Sequence, residues 1–335
     1  MVGVAGATGA LGKEILLVLD KAPWRPEKVV ALASNRSTIP FVEYGSSSLT
    51  VEDLAEHDFA DLDVLILAVP TEVAKEAAER AIGEGVAVVD CSGAFSEDPD
   101  ERMVVPWVNP ESVKDLPARG LLAIPGAPAL LLGSVLGPLW RAGIRGAVSA
   151  TVLVSASHSG RDGVEELSKQ VVALFNSGTP PRKVFDQGLA FDLIPQVGNA
   201  DQGWTDQERR AAAEVAILVP EVEQIAVTMV GVPLFSSISA TVQVRLEGSA
   251  SLERIAQLLE MGGVQVPKPG PRQIPRPRRV EGHPFVHVGR LRLDEQGNLH
   301  LWATLDNLRG SAAAAVGCAG VLVKARTSSD DSLSR

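Results

Sequence analysis

Apolar positions in the first third of the chain follow two alternating rhythms. Residues 2–5 are a short continuous apolar run, followed by the turn Gly6-Ala7-Thr8-Gly9-Ala10-Leu11-Gly12. Residues 13–20 then place Ile15, Leu16 and Leu19 on one face, which predicts a helix. Apolar runs at 28–33, 63–68 and 86–90 predict strands, and the spacing over 72–83 predicts another helix. Strands that alternate with helices imply an α/β fold whose parallel sheet is covered on both faces.

The rhythm changes near Pro125. Residues 121–139, LLAIPGAPALLLGSVLGPL, are a Pro/Gly turn leading into an apolar helix. Residues 148–156 read as a strand, and 162–176 and 205–219 as amphipathic helices. The second of these helices carries the capping-box pair Thr205 and Glu208. Strand-like runs follow at 223–230, 239–246, 287–293 and 299–304, the last two forming a hairpin around 294–298. This part predicts an α+β domain with a mainly antiparallel sheet. Ile225, Ala226, Val227, Met229 and Val230 crowd together without alternation, so the sheet needs cover on both faces. Residues 311–324 are Ala-rich and helical, and 326–335 are polar and expected to fray. The segment 267–279, PKPGPRQIPRPRR, reads as an extended, semi-rigid surface loop whose arginines suit an acidic partner.

Composition narrows the function classes. A net charge of −10 argues against nucleic acid as a main partner. Two cysteines, Cys91 and Cys318, are too few for a disulfide framework, so a reducing, cytoplasmic setting is expected. The apolar run 127–140 is too short to span a bilayer and is broken by Gly133, Gly137 and Pro138, so no membrane contact is expected.

The glycine turn has the context of a dinucleotide site, with a strand before it and a helix after it. Backbone N–H groups there approach a pyrophosphate, and the helix N-terminus adds partial positive charge. Gly6, Thr8, Gly9, Ala10 and Gly12 are the candidate contacts. The second strand ends in Ala33-Ser34-Asn35-Arg36-Ser37 without the carboxylate that would accept from an NAD ribose. Ser34, Arg36 and Ser37 suit a 2′-phosphate instead, which favours NADP.

Residues 4–12, 33–37, 90–95, 104–110, 190–196 and 305–309 together resemble the aspartate-semialdehyde dehydrogenase family, in order and spacing over residues 2–324. The most specific pieces are VVPWVNP, AFDLIPQ and DNLRGSAA. The resemblance implies a Rossmann-type doubly wound domain of residues 1–124 and 306–335 that includes a returning C-terminal helix. It also implies a substrate and dimerisation domain over 125–305, a homodimer, and a cofactor contact from Asn307.

That family interconverts an acyl phosphate and an aldehyde through a cysteine thioester, with a histidine acid/base and arginines that hold the substrate. Here the thiol position is Ala127, the glutamine position Val154, the substrate-arginine position Gly231 and the histidine position Ile238. The phosphate-gripping arginine after Gly93-Ala94-Phe95 is Ser96, and a glutamate is replaced by Trp107. Alanine has no lone pair to attack a carbonyl, so Ala127 excludes a thioester at that position. Six losses at matching positions predict a chain that has left the family reaction and acts by binding, with an unknown protein partner or small-molecule ligand.

The remaining chemistry is thin. Cys91 and Cys318 read as packed residues. His158 is the one histidine placed to move a proton. Asp192 and the Glu165-Glu166 pair read as solvated or structural. His283 and His287 lack further ligands for a metal. A second reading is an active NAD(P)-dependent oxidoreductase that works without a thioester, with only Ser155, Ser157, His158 and Ser237 to orient a substrate.

Overall fold

A computed structural model describes the chain except residues 36, 97–101, 114–119, 269, 271–272 and 334–335; side chains of 326–333 are also outside the description. The chain divides into two compact units, Met1–Gly126 with Ser311–Arg335, and Ala127–Gly310.

The first unit follows the α/β pattern. Its elements are β1 (Val2–Ala5), α1 (Ala10–Asp20), β2 (Val29–Ala33), β3 (Phe41–Tyr44), β4 (Ser47–Asp53), β5 (Val64–Leu67), α2 (Thr71–Gly83), β6 (Ala87–Asp90), β7 (Arg102–Met103) and β8 (Leu121–Ala123). The sheet order is β3-β4-β2-β1-β5-β6-β8-β7, with only β3 antiparallel to its neighbour. β1, β2, β5 and β6 are buried at every position, as strands covered on both faces must be. The β3–β4 hairpin was not expected; its turn is made possible by Gly45 at φ +59.

The second unit contains α3 (Ala127–Arg141), β9 (Gly146–Val154), α4 (Gly160–Phe175), β10 (Ala200–Asp201), β11 (Trp204–Thr205), α5 (Asp206–Leu218), β12 (Ile225–Gly231), β13 (Ile238–Leu246), α6 (Leu252–Met261), α7 (Pro277–Val280), β14 (His287–Leu293) and β15 (Leu299–Leu305). Its five-stranded sheet has the order β12-β9-β13-β15-β14, antiparallel apart from the β12–β9 pair. The capping box forms as expected. Thr205 Oγ1 accepts from Glu208 N at 3.2 Å, and Glu208 Oε2 accepts from Thr205 N at 2.9 Å. α3 is buried from Pro128 to Trp140, so it is the core helix of this unit.

Three expectations need correction. β12 does alternate: Val227 and Met229 are buried while Ala226 and Thr228 are exposed. Large exposed apolar side chains lie instead on α4 and the following loop. Val172 is 57% exposed, Phe175 77%, Phe191 67% and Leu193 58%. The Pro/Arg-rich segment is not extended throughout, since Pro277, well suited to a first helical turn, opens α7.

The last helix, α8, spans Asn307–Leu333, starting four residues earlier than expected and running through much of the polar tail. Asp306 starts it: its Oδ1 accepts from the Leu308 and Arg309 N–H groups at 3.1 Å. Its stretch Asn307–Ala325 matches a membrane span in length and hydropathy, but 56% of that window is buried inside the protein. That burial is what a core helix shows.

Candidate cofactor and substrate sites

The glycine turn of the first unit leaves no room for side chains. Gly6 has φ +81, and a Cβ there would lie 2.1 Å from the Ala68 carbonyl oxygen. A Cβ on Gly12 would lie 2.1 Å from the Gly6 carbonyl oxygen, so α1 packs directly onto the turn. Gly9 is the N-cap of α1, and no side chain caps the helix. Among the described residues the first N–H groups of α1 have no side-chain cap, which suits an anionic ligand. Ser37 Oγ donates to Thr8 Oγ1 at 3.2 Å, tying the loop after β2 to the turn. Ser34 is exposed beside it, and the Ser37 N–H donates to the Ser34 carbonyl at 2.9 Å. Arg36 lies outside the described residues. The turn, the uncapped helix and the two hydroxyls together fit a dinucleotide.

At the carboxyl end of the parallel sheet, polar groups are bound to one another. The buried Asp90 accepts from Ser92 N at 2.8 Å and from Ser92 Oγ at 2.6 Å. Ser96 Oγ donates to the Gly93 carbonyl at 3.1 Å. Burial, then the Asp90 charge, pushes the Cys91 thiol above its ordinary range. Cys318 is buried, its Sγ 3.6 Å from the Val104 carbonyl, and burial pushes its thiol up as well. Neither thiol is activated.

In the second unit, β9 and β13 bring two candidate positions together. Ile238 pairs with Val154 on one side and with Leu305 of β15 on the other. Directly opposed residues of an antiparallel pair have Cβ atoms about 5 Å apart. Val154 is 3% exposed, Ile238 0% and Leu305 1%, so the row is dry. Gly231 exchanges both backbone hydrogen bonds with Ile194, at 2.8 and 2.9 Å. A Cβ on Gly231 would come within 3.1 Å of Ile194 Cβ. Ala127 is half-buried at the first position of α3.

Polar groups near this row satisfy one another. Ser155 Oγ and Ser157 Oγ are 3.0 Å apart, and Ser157 Oγ donates to Asn307 Oδ1 at 2.9 Å. The Ser237 N–H also donates to Asn307 Oδ1, at 3.0 Å. The loop after β12 is pinned by the Ala156 and Ser157 N–H groups, which donate to the Leu234 and Phe235 carbonyls at 2.8 and 3.1 Å. Asn307 thus sits with the serines of the second unit.

His158 is directed toward α5. Burial lowers its pKa, opposed by a hydrogen bond with the Gln207 side chain, and the Arg210 charge lowers it further. The net shift is downward, toward the neutral imidazole, and the ring is held by α5. Glu165 is partly exposed and ion-paired with Arg161 at 2.7 Å, whereas Glu166 is buried. The Glu166 carboxylate accepts from the N–H groups of Lys183, Val184 and Phe185 at 2.8 to 2.9 Å. Asp192 is exposed and accepts from Leu193 N. The His283 and His287 rings meet edge-on at 5.3 Å, and no group of three or more potential ligands forms among the described residues.

Sequence reasoning left two features without a role: the Glu166 hub and the exposed Phe175–Phe191 pair, edge-to-face at 5.8 Å. Both depend on the loop 176–199, which carries no periodic pattern.

Comparison with known proteins matches residues 1–116 to the NAD binding domain of semialdehyde dehydrogenase and residues 136–310 to its dimerisation domain. The aspartate-semialdehyde dehydrogenase of Aquifex aeolicus is 31% identical over 96% of this chain and 98% of its own. A USG-1 protein homolog of Pseudomonas aeruginosa is 32% identical over 93% and 94%. The structure of aspartate semialdehyde dehydrogenase II complexed with ASA, from Vibrio cholerae, superimposes with a TM-score of 0.91 at 29% identity, covering 96% of this chain and 98% of that one.

Proposed function

Because the chain belongs to the aspartate-semialdehyde dehydrogenase family, we propose that it is a cytoplasmic, NADP-binding homodimer that has lost the family's phosphorylating aldehyde dehydrogenation and acts by binding. The observation that carries this reading is the dry row Val154–Ile238–Leu305. An amide and an imidazole at the first two positions would serve the family reaction. Valine and isoleucine neither orient a carbonyl nor move a proton. Ala127 supplies no nucleophile, and the backbone pairing of Gly231 with Ile194 leaves no room for a substrate arginine without a shift.

Gly6, Gly9, Ala10 and Gly12 would hold the pyrophosphate, with Thr8, Ser34, Arg36 and Ser37 around the adenosine ribose. The bound nicotinamide supplies a hydride donor or acceptor. The alternative of hydride transfer without a thioester needs a proton donor at the substrate. His158 is instead engaged by the Gln207 side chain of α5.

A calorimetric titration with NADP(H) and NAD(H), paired with a broad substrate screen, tests the reading. NADP(H) should bind more tightly by roughly 1.5–3 kcal/mol, the worth of a charge-assisted hydrogen bond. Equal affinities would remove the assignment of Ser34, Arg36 and Ser37, and turnover of any screened substrate would remove the loss of catalysis.

Support for the dimer comes from the family dimerisation domain and from the apolar patch of Val172, Phe175, Phe191 and Leu193. Phe175 and Phe191 meet edge-to-face there at 5.8 Å, and exposed apolar surface of this kind marks an interaction site. Light scattering at micromolar concentration should give about twice the chain mass of 35.2 kDa. Phe175→Glu should shift the population toward monomer. A monomeric parent protein would overturn the assignment.

A further inference from the structure

The Pro/Arg-rich segment ends in a turn that the second unit holds from several sides. Pro275 is buried, and its carbonyl oxygen accepts the Trp302 indole N–H at 2.8 Å. β14 passes close against the proline ring: a Cβ on Gly289 would come within 2.6 Å of Pro275 Cδ. The Pro277 carbonyl accepts the Ser237 hydroxyl at 3.3 Å, and Val280 is 1% exposed. The backbone is fixed while Arg276, Arg278 and Arg279 stay exposed. All three line one cavity of about 460 Å³, with Pro277 and Leu234 as its other walls. Leu234 belongs to the pinned loop between β12 and β13.

The charge here runs against that of the whole chain. Net charge is −10, yet one short turn gathers three guanidiniums around a cavity. The carboxylates beside it already accept hydrogen bonds. Glu281 Oε1 accepts from Ser236 Oγ at 2.7 Å. Asp306 accepts from Gly282 N at 2.7 Å with one oxygen and from the first N–H groups of α8 with the other. Among the described residues no ion pair holds Arg276 or Arg278.

We infer that this turn is a binding site for a small phosphate-bearing molecule, its phosphate held by Arg276, Arg278 and Arg279 and its less polar part resting on Leu234. Planar guanidinium forks match phosphate oxygens two at a time, which adds geometry to charge. A backbone fixed before binding lowers the ordering cost. None of these arginines belongs to the glycine turn or to the Val154–Ile238 row, so the site does not depend on whether the chain binds NADP or turns over a substrate.

Phenyl phosphate serves as the probe in a calorimetric titration of the full chain at low salt. Wild-type protein should bind it, and the triple variant Arg276→Gln, Arg278→Gln, Arg279→Gln should weaken binding about tenfold or more. NADP titration of the variant should match wild type and its thermal unfolding should remain a single cooperative transition, which separates this site from the cofactor site and from misfolding. The single variant Arg278→Gln should show a smaller weakening in the same direction. Equal affinity in wild type and triple variant would overturn the inference, as would failure of wild type to bind. Binding of an oligoglutamate peptide with no response to phenyl phosphate would overturn it in favour of an acidic protein segment.

Discussion

Purified protein mixed with aspartate semialdehyde, inorganic phosphate and NADP is expected to form no NADPH above a protein-free control. Loss of a nucleophile alone removes several orders of magnitude in rate, and the losses of cooperating residues do not add. The single variant Ala127→Cys should therefore remain inactive. Such a variant would still carry isoleucine at 238, the position of the family's proton acceptor, and glycine at 231, the position of its cationic anchor. Phosphate-dependent NADPH formation by the unmutated protein would overturn the proposed function. Formation by Ala127→Cys alone would show that the other positions matter less than their chemistry implies.

The largest effect on stability is expected at Glu166. Its carboxylate accepts from three consecutive backbone N–H groups, Lys183, Val184 and Phe185, and from the Gln170 amide at 3.2 Å. Glu166→Gln keeps the volume but turns one acceptor oxygen into a donor that faces donors. Several charge-assisted bonds are lost and buried N–H groups are left unpaired, a loss of roughly 3–5 kcal/mol. Against a typical stability of about 5–15 kcal/mol this is a large fraction, and urea unfolding would read it directly. A change within about 0.5 kcal/mol would show that the loop 183–185 does not depend on the carboxylate.

The pH dependence has a definite sign. Burial is the largest single influence on Glu166 and pushes its pKa up. The N–H groups of Phe185, Val184 and Lys183, with the Gln170 amide, together outweigh it and hold the pKa below the ordinary value. The contribution is therefore complete above the unfolded glutamate range of about 4.3 and is lost as pH falls through the lower folded value. The gap between wild type and Glu166→Gln should narrow only in that acid window.

Local signals were legible in the sequence. The Thr205–Glu208 capping box needs only residues three apart, and it forms as read. Strands buried on both faces show as unbroken apolar runs, which is why β1, β5 and β6 lie within a residue or two of their predicted bounds. Long-range partners were not legible. Glu166 looks like any acidic residue on an amphipathic helix until the chain returns 17 residues later to place Lys183 on it. The early start of α8 depends on Asp306, whose side chain lies just outside the Ala-rich run that marked the helix. The β12 run looked unalternating because Ala226, exposed in the fold, counts as apolar in composition. Of the candidate site, the glycine turn was readable from spacing alone. The pairing of position 154 with 238 was not, because register between strands more than eighty residues apart leaves no local trace.

That pairing makes the proposed change of function hard to undo. Val154, Ile238 and Leu305 belong to the hydrophobic core of the second unit. A lone histidine at 238 would bury an imidazole between two aliphatic neighbours, at roughly 1–3 kcal/mol for an unpaired polar group. A lone arginine at 231 would press its Cβ toward Ile194. Under the proposed function, each single change toward the family's residues lowers stability before any rate is gained, since no one of them completes the machinery. On this reading the site is entrenched. Packing acts as a ratchet, and descendants of this chain are freer to elaborate its binding surfaces than to recover the old reaction.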